Sequence, residues 1–120
     1  MKALFDTNIL IDFLNGIPAA RTELDLYESR AISIVTWMEV MCGGEPELAD
    51  TTRAFLSRFT MIPIGEEIAE RAVTLRRDRN LRLPDAIILA TSLETGLMLV
   101  TRNTKDFSDK LPGVRHPYRV

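Results

Sequence analysis

The chain is poor in the residues that most often announce a site. It has one cysteine, Cys42, so no intrachain disulfide can form, and that usage suits a reducing compartment. Cys42 stands in Met41-Cys42-Gly43 with no second thiol or histidine near it, and is expected to be a small half-buried residue. The one histidine, His116, lies in Val114-Arg115-His116-Pro117-Tyr118, far along the chain from every candidate acid. A surface position is expected for it, not a general-base role. Without a cluster of histidines and cysteines, zinc is a poor candidate ligand. No stretch approaches the ~20 apolar residues of a membrane span. The first apolar run breaks at Asp6, too early for a signal peptide. A soluble cytoplasmic protein is expected. An excess of one charge is also missing: 15 basic residues face 17 acidic ones, for a net charge of -2. Contact with a polyanion must therefore come from local basic clusters or a bound cation.

What is present is ordinary for a globular chain: 46% apolar and 27% charged residues over 120 positions, with no linker, repeat or low-complexity tract. One domain over residues 1–120 is expected, large enough to bury about two thirds of its unfolded surface without a covalent or metal staple. Short apolar runs alternate with amphipathic stretches. Strands are predicted at 2–5, 31–35, 60–64, 97–101 and 114–118. Helices are predicted at 8–15, 19–29, from Thr36 to the Gly43-Gly44 pair, within 46–59, at 66–80 and at 84–95, the last stopped by Gly96. Alternating strands and helices imply an α/β protein, a mostly parallel sheet between two helical layers. The strings Ala3-Leu4-Phe5, Ile32-Ser33-Ile34-Val35 and Leu97-Met98-Leu99-Val100 are nearly continuous in apolar character, as strands covered on both faces must be. In such sheets ligands bind beyond the carboxyl ends of the strands.

Four acids fall at that edge. Asp6 is the first polar residue after the first strand. Glu39 lies a turn into the helix after the second. Asp106 follows the Leu97–Val100 run, and Asp85 begins the helix before it. Asp85 joins the others if its helix starts at the carboxyl edge and runs back against the strands, the direction of a right-handed crossover. Two carboxylates ~5 Å apart repel by roughly 3 kcal/mol at an effective dielectric of about 20. A cluster of four must then raise its pKa values or hold a divalent cation. An all-oxygen set suits Mg²⁺ or Mn²⁺, and such an ion supports phosphodiester hydrolysis. A plainer reading stands beside this one. Asp6 can cap the following helix, Thr36-Trp37-Met38-Glu39 has the form of a capping box, and Asp85 after Pro84 suits a helix start. Asp106 can serve the turn opened by Asn103 in the same way. Spacing alone does not separate site from caps.

Four segments in order then carry a resemblance over nearly the whole chain: Leu4-Phe5-Asp6-Thr7-Asn8-Ile9-Leu10-Ile11-Asp12, Thr36-Trp37-Met38-Glu39-Val40, Leu83-Pro84-Asp85-Ala86-Ile87-Ile88-Leu89-Ala90, and Leu99-Val100-Thr101-Arg102-Asn103-Thr104-Lys105-Asp106-Phe107. The chain resembles PIN-domain nucleases, and among them the VapC toxin ribonucleases of bacterial toxin–antitoxin pairs. The resemblance implies an α/β/α sandwich and an endoribonuclease with a Mg²⁺ site that also takes Mn²⁺. It implies a homodimer and a VapB-like antitoxin as partner. It makes Asp6, Glu39, Asp85 and Asp106 the catalytic acids, with Asp6 and Asp85 as main metal ligands. Many relatives carry aspartate where Asn103 stands, so Asp106 is expected to supply the fourth carboxylate. Thr7, Thr101 and Asn103 are expected to hydrogen-bond the ligands from behind, and Asn8 to be a helix-start residue.

Arginines 76, 77, 79 and 82 form the densest basic cluster, and Arg102 and Lys105 flank the last motif. A solvated helix end is the plain explanation of the cluster; a basic rim for an RNA backbone is the functional one. Trp37 and Met38 are expected to pack. Ile9, Leu10, Phe13, Leu14, Leu24, Leu26 and Tyr27 offer more apolar surface than a small domain readily covers, which fits an antitoxin segment laid in a groove. Two other functions compete. A phosphoryl-accepting receiver-like domain needs an acid pair after the first strand and a lone aspartate after the middle one, and has neither. A catalytically silent PIN-like module, working through antitoxin binding and co-repression, has no need of intact acids.

Overall fold

Apolar strings in the strands are what two covered sheet faces require, and the computed structural model, which describes residues 1–120, shows both covers. The elements run β1 (Lys2–Phe5), α1 (Thr7–Leu14), α2 (Pro18–Asp25), β2 (Ser29–Ser33), α3 (Ile34–Gly43), a 3₁₀ turn (Pro46–Leu48), α4 (Ala49–Leu56), β3 (Thr60–Ile62), α5 (Glu66–Arg79), α6 (Leu83–Thr95), β4 (Met98–Val100) and β5 (Val114–Arg115). The five strands lie in the order β3-β2-β1-β4-β5 and every neighbouring pair is parallel. The expected α/β/α architecture is the observed one.

Side chains alternate across the pleat. Leu4, Ala31 and Leu99 enter a core closed by α5 and α6 through Ile68, Ala72, Leu75, Ile88 and Leu89. Ala3, Phe5, Ile32 and Val100 enter the opposite core with Ile9, Leu10, Leu24, Tyr27, Val40, Leu56 and Phe59. Phe5 is fully buried, edge-on to Tyr27 at 5.3 Å and to Phe59 at 6.2 Å. Cutting such a ring back to alanine costs about 3–5 kcal/mol.

The predicted elements exist, with displaced ends. The second strand was expected at 31–35, yet Ile34 and Val35 open α3. Ser33, in extended backbone, takes the Val35 N–H on its Oγ at 3.1 Å and caps the helix. A cap contributes about 1 kcal/mol, more than the few tenths by which two β-branched residues resist a helix. The helix expected at 19–29 stops at Asp25, because Ser29 and Arg30 pair with Lys2 and Ala3 in the sheet. The stretch 46–59 breaks into the 3₁₀ turn and α4. Gly96 ends α6 in the left-handed region at φ 73°, where a side chain would be strained.

The strand order matters for position. The chain leaves β1 towards β2 and β3, then returns across the sheet to β4 on the other side of β1. The crevice at the carboxyl ends of β1 and β4 is thus the topological switch point, the usual ligand position in an open parallel sheet. No helix is long and apolar enough to cross a membrane.

Candidate active site

Asp6 occupies that crevice. Its backbone N–H continues the ladder to the Val100 carbonyl at 2.9 Å, and the residue then caps α1, its Oδ1 accepting the Thr7 N–H at 2.8 Å. Its Oδ2 accepts the Thr101 hydroxyl at 2.7 Å and the Asn8 amide at 3.3 Å. Thr101 continues the line of β4 and is fully buried, and its oxygen also accepts the Asn103 N–H at 3.0 Å. Asp6 is only 4% exposed. Burial pushes its pKa up to about 6 from 3.8; the Thr101 and Thr7 hydrogen bonds oppose the rise, and the nearby Asp85 and Glu39 carboxylates add to it.

Glu39 reaches the same place from α3. Its Oε1 takes the Thr7 hydroxyl at 2.6 Å, and Thr7 Oγ1 also lies 3.0 Å from Thr36 Oγ1. The capping box expected of Thr36 and Glu39 therefore does not form. The helix begins two residues earlier, so Thr36 is already inside it and Glu39 is turned to α1 instead. Asp85 lies in the first turn of α6 and caps nothing. Burial raises its pKa, the Arg82 guanidinium opposes this, and the Asp106 and Glu39 carboxylates raise it further. Arg82 Nε donates to Asp85 Oδ2 at 3.3 Å. Asp106 is held by Asn103, whose Nδ2 donates to its Oδ2 and whose Oδ1 accepts its N–H, both at 3.0 Å. Asn103 thus orients its acidic neighbour.

Asp6 feels the charges of Asp85 and Glu39, and Asp85 those of Asp106 and Glu39, although the four come from separated segments. In this arrangement no three His, Cys, Asp or Glu side chains converge closely enough to ligate one ion together. The donor set is nonetheless all oxygen, and two of its carboxyls are buried and charge-strained. That fits Mg²⁺ or Mn²⁺, which bind through one or two carboxylates and keep several waters.

Of the expected basic rim, Arg76, Arg77, Arg79, Arg82 and Lys105 are exposed. Arg102 departs from that expectation. Its Nε and one terminal nitrogen grip the two oxygens of buried Asp12 at 2.6 and 2.9 Å, and the Tyr118 hydroxyl adds a bond to Asp12 at 2.9 Å. The Arg102 N–H also donates to Asn8 Oδ1 at 3.1 Å. Asn8, expected only to start a helix, therefore ties Asp6, Thr101 and Arg102 together. Sequence reading missed the roles of Asn8 and Asp12. The available signal was their spacing from Asp6, which puts both on α1 beside the switch point. His116 is half-buried, with Nε2 enclosed and unpaired, rather than on the surface. Trp37 packs on the core as expected, whereas Met38 and Cys42 are exposed.

The chain matches known proteins in sequence and in fold. The PIN-domain family profile matches residues 3–110. The chain is 32% identical to the tRNA(fMet)-specific endonuclease VapC of Shigella flexneri, over 96% of this chain and 96% of that protein. A toxin–antitoxin complex from Klebsiella pneumoniae contains a chain that superposes with a TM-score of 0.94 at 50% identity, over 99% of this chain and 100% of that one. A chain of DNA-bound VapBC from Salmonella typhimurium superposes with a TM-score of 0.78 at 25% identity, over 96% of each. On its sequence, its sheet order and these matches, the chain belongs to the PIN-domain family.

Proposed function

We propose that this chain is a divalent-metal-dependent endoribonuclease, one domain over residues 1–120, and the toxin of a VapBC-like pair acting in the cytoplasm. The observation that supports the reading best is the mutual charge repulsion of Asp6, Asp85 and Glu39, with Asp106 acting on Asp85, and Asp6 buried with its pKa pushed up to about 6. A helix-end role accounts for Asp6 as a cap and for Asp85 in the first turn of α6 after Pro84, but not for Glu39, which is turned to Thr7.

Asp6 and Asp85 are the residues to hold the metal. Mg²⁺, or Mn²⁺ in its place, would acidify a bound water, polarise a phosphoryl oxygen and shield the leaving oxyanion. Thr101, the Thr7 N–H and Asn8 fix the Asp6 carboxyl so that little reorganisation is needed when a cation arrives. Thr7 holds Oε1 of Glu39 and leaves Oε2 to take the proton of the attacking water. Asp106, oriented by Asn103, adds negative charge opposite Asp85. Arg76, Arg77, Arg79, Arg82 and Lys105 would meet the RNA backbone.

A VapB-like antitoxin is the proposed partner, supported by the relatives solved as VapBC and toxin–antitoxin complexes. The surface adds support: Ile11, Leu14 and Leu48 are exposed, and with Val40 they line a groove of about 460 Å³. The homodimer is carried over from the family resemblance. The silent-module reading draws on the lack of three converging ligands and on Arg82 seated at Asp85.

Two measurements test the proposal. Asp6→Asn and Asp85→Asn should each lower Mn²⁺-dependent RNA cleavage by at least about 100-fold; cleavage at the wild-type rate refutes the site. Mn²⁺ should raise the melting temperature of the wild type and not of Asp85→Asn, a readout that needs no knowledge of the RNA target. If Mn²⁺ moves neither and RNA stays intact, the silent module is the better reading.

A further inference from the structure

Arg82 is the only cation paired with any of the four acids. The pair is lopsided, because the Arg82 side chain is 77% exposed and that of Asp85 only 9%. It is also thin: one Nε contact at 3.3 Å, with neither terminal nitrogen of the guanidinium bonded to protein. The other two arginine pairs that face buried acids are built differently. Arg102 grips Asp12 at 2.6 and 2.9 Å, and Arg115 grips Glu23 at 2.7 and 3.0 Å, each with two nitrogens. Those two are fixed structural pairs. A mostly exposed, single-contact pair is worth little in water, so a divalent ion can displace it easily. Arg82 also stands outside the helix, at the N-cap of α6 in extended backbone, with no capping bond from its side chain. Its side chain can move without disturbing α6.

We propose that Arg82 is an exchangeable counter-ion: it neutralises Asp85 while the acidic site holds no cation, and is released to an RNA phosphate when a divalent ion takes Asp85. This inference rests on the nuclease reading above. Its physical content is that one guanidinium serves two anions in turn. Without metal it relieves part of the charge strain on Asp85. With metal its free planar fork matches a phosphate, and Arg79, three positions before it in the chain, is likewise exposed. Metal loading and RNA capture are thereby coupled, so the protein holds RNA tightly only when it is equipped to cut.

The experiment compares wild type, Arg82→Gln and Arg79→Gln by calorimetric titration with Mn²⁺. RNA affinity is then measured against salt, with and without Mn²⁺, using a labelled mixed-sequence 2′-O-methyl oligonucleotide checked to be intact. Arg82→Gln should bind Mn²⁺ roughly two- to fivefold tighter, because no counter-ion must be displaced. In the wild type, Mn²⁺ should steepen the salt dependence by about 0.7 in log–log slope, the neutralisation of one phosphate on a single strand. Arg82→Gln should lack that steepening. Arg79→Gln should keep it while binding more weakly with and without metal. Equal or weaker Mn²⁺ binding by Arg82→Gln, or an unchanged steepening, overturns the exchange and leaves the nuclease reading intact. A wild type that takes up no Mn²⁺ overturns both.

Discussion

Asp6 should make the metal-free protein lose stability as pH rises through the range where most proteins are steady. Its pKa is about 6 in the fold against an ordinary 3.8. The folded state therefore holds the proton more firmly than the unfolded chain does. That stability is fully present below about pH 4 and lost as pH climbs through 6. The difference is about 2 units at 1.36 kcal/mol each, or roughly 3 kcal/mol, undiminished by solvent because the group is buried. Asp6→Asn has no such proton. The assay is urea or thermal unfolding of both proteins in EDTA from pH 4 to 8. The variant should gain about 3 kcal/mol on the wild type across that span, on the order of 10 °C in melting temperature for a chain of this length. Any cost of the altered bonding to Thr101 is a constant offset and drops out of the difference. Release of Asp85 from repulsion acts in the same direction. Parallel pH curves for the two proteins would refute the buried, charge-strained Asp6 on which the metal argument stands.

Other perturbations bear on the frame around the site. Arg102→Ala should cost about 3 kcal/mol, measured by urea unfolding, because it leaves the Asp12 carboxylate buried with only Tyr118 beside it; Arg102→Lys should recover only part of this. Glu23 has the opposite sign to Asp6. Burial raises its pKa, but the bonds from Arg115 and Tyr27 outweigh that and hold it below the usual glutamate range. Its stabilisation is present above the ordinary glutamate pKa and lost as pH falls, so Glu23→Gln should flatten the acid side of the stability curve. Thr7→Val should lower kcat by about tenfold or more by freeing Glu39, with melting temperature nearly unchanged, and Thr7→Ser should restore cleavage.

The sequence was most readable where local physics agreed with the global fold. Gly96 closed α6 and apolar strings marked strands covered on both faces. It was least readable where two local signals competed. Ile34 and Val35 read as strand by shape, and Thr36-Trp37-Met38-Glu39 read as a capping box by pattern. Both failed for one reason: Ser33 capped the helix first. Arg102 failed differently. Next to Lys105 and Asp106 it looked like part of a basic rim, but its partner Asp12 lies 90 positions away and cannot be seen from neighbours in sequence.

The sequence by itself determined the fold class, the all-oxygen character of the acid set and the family, because these rest on periodicity, composition and residue order. Which of those acids share an environment was decided only by the tertiary structure. Return of the chain across the sheet to β4 sets Thr101 against Asp6, and α6 carries Asp85 to the same edge. That same closure buries Asp6, and burial is what turns an ordinary helix-capping aspartate into one whose charge is costly without a cation.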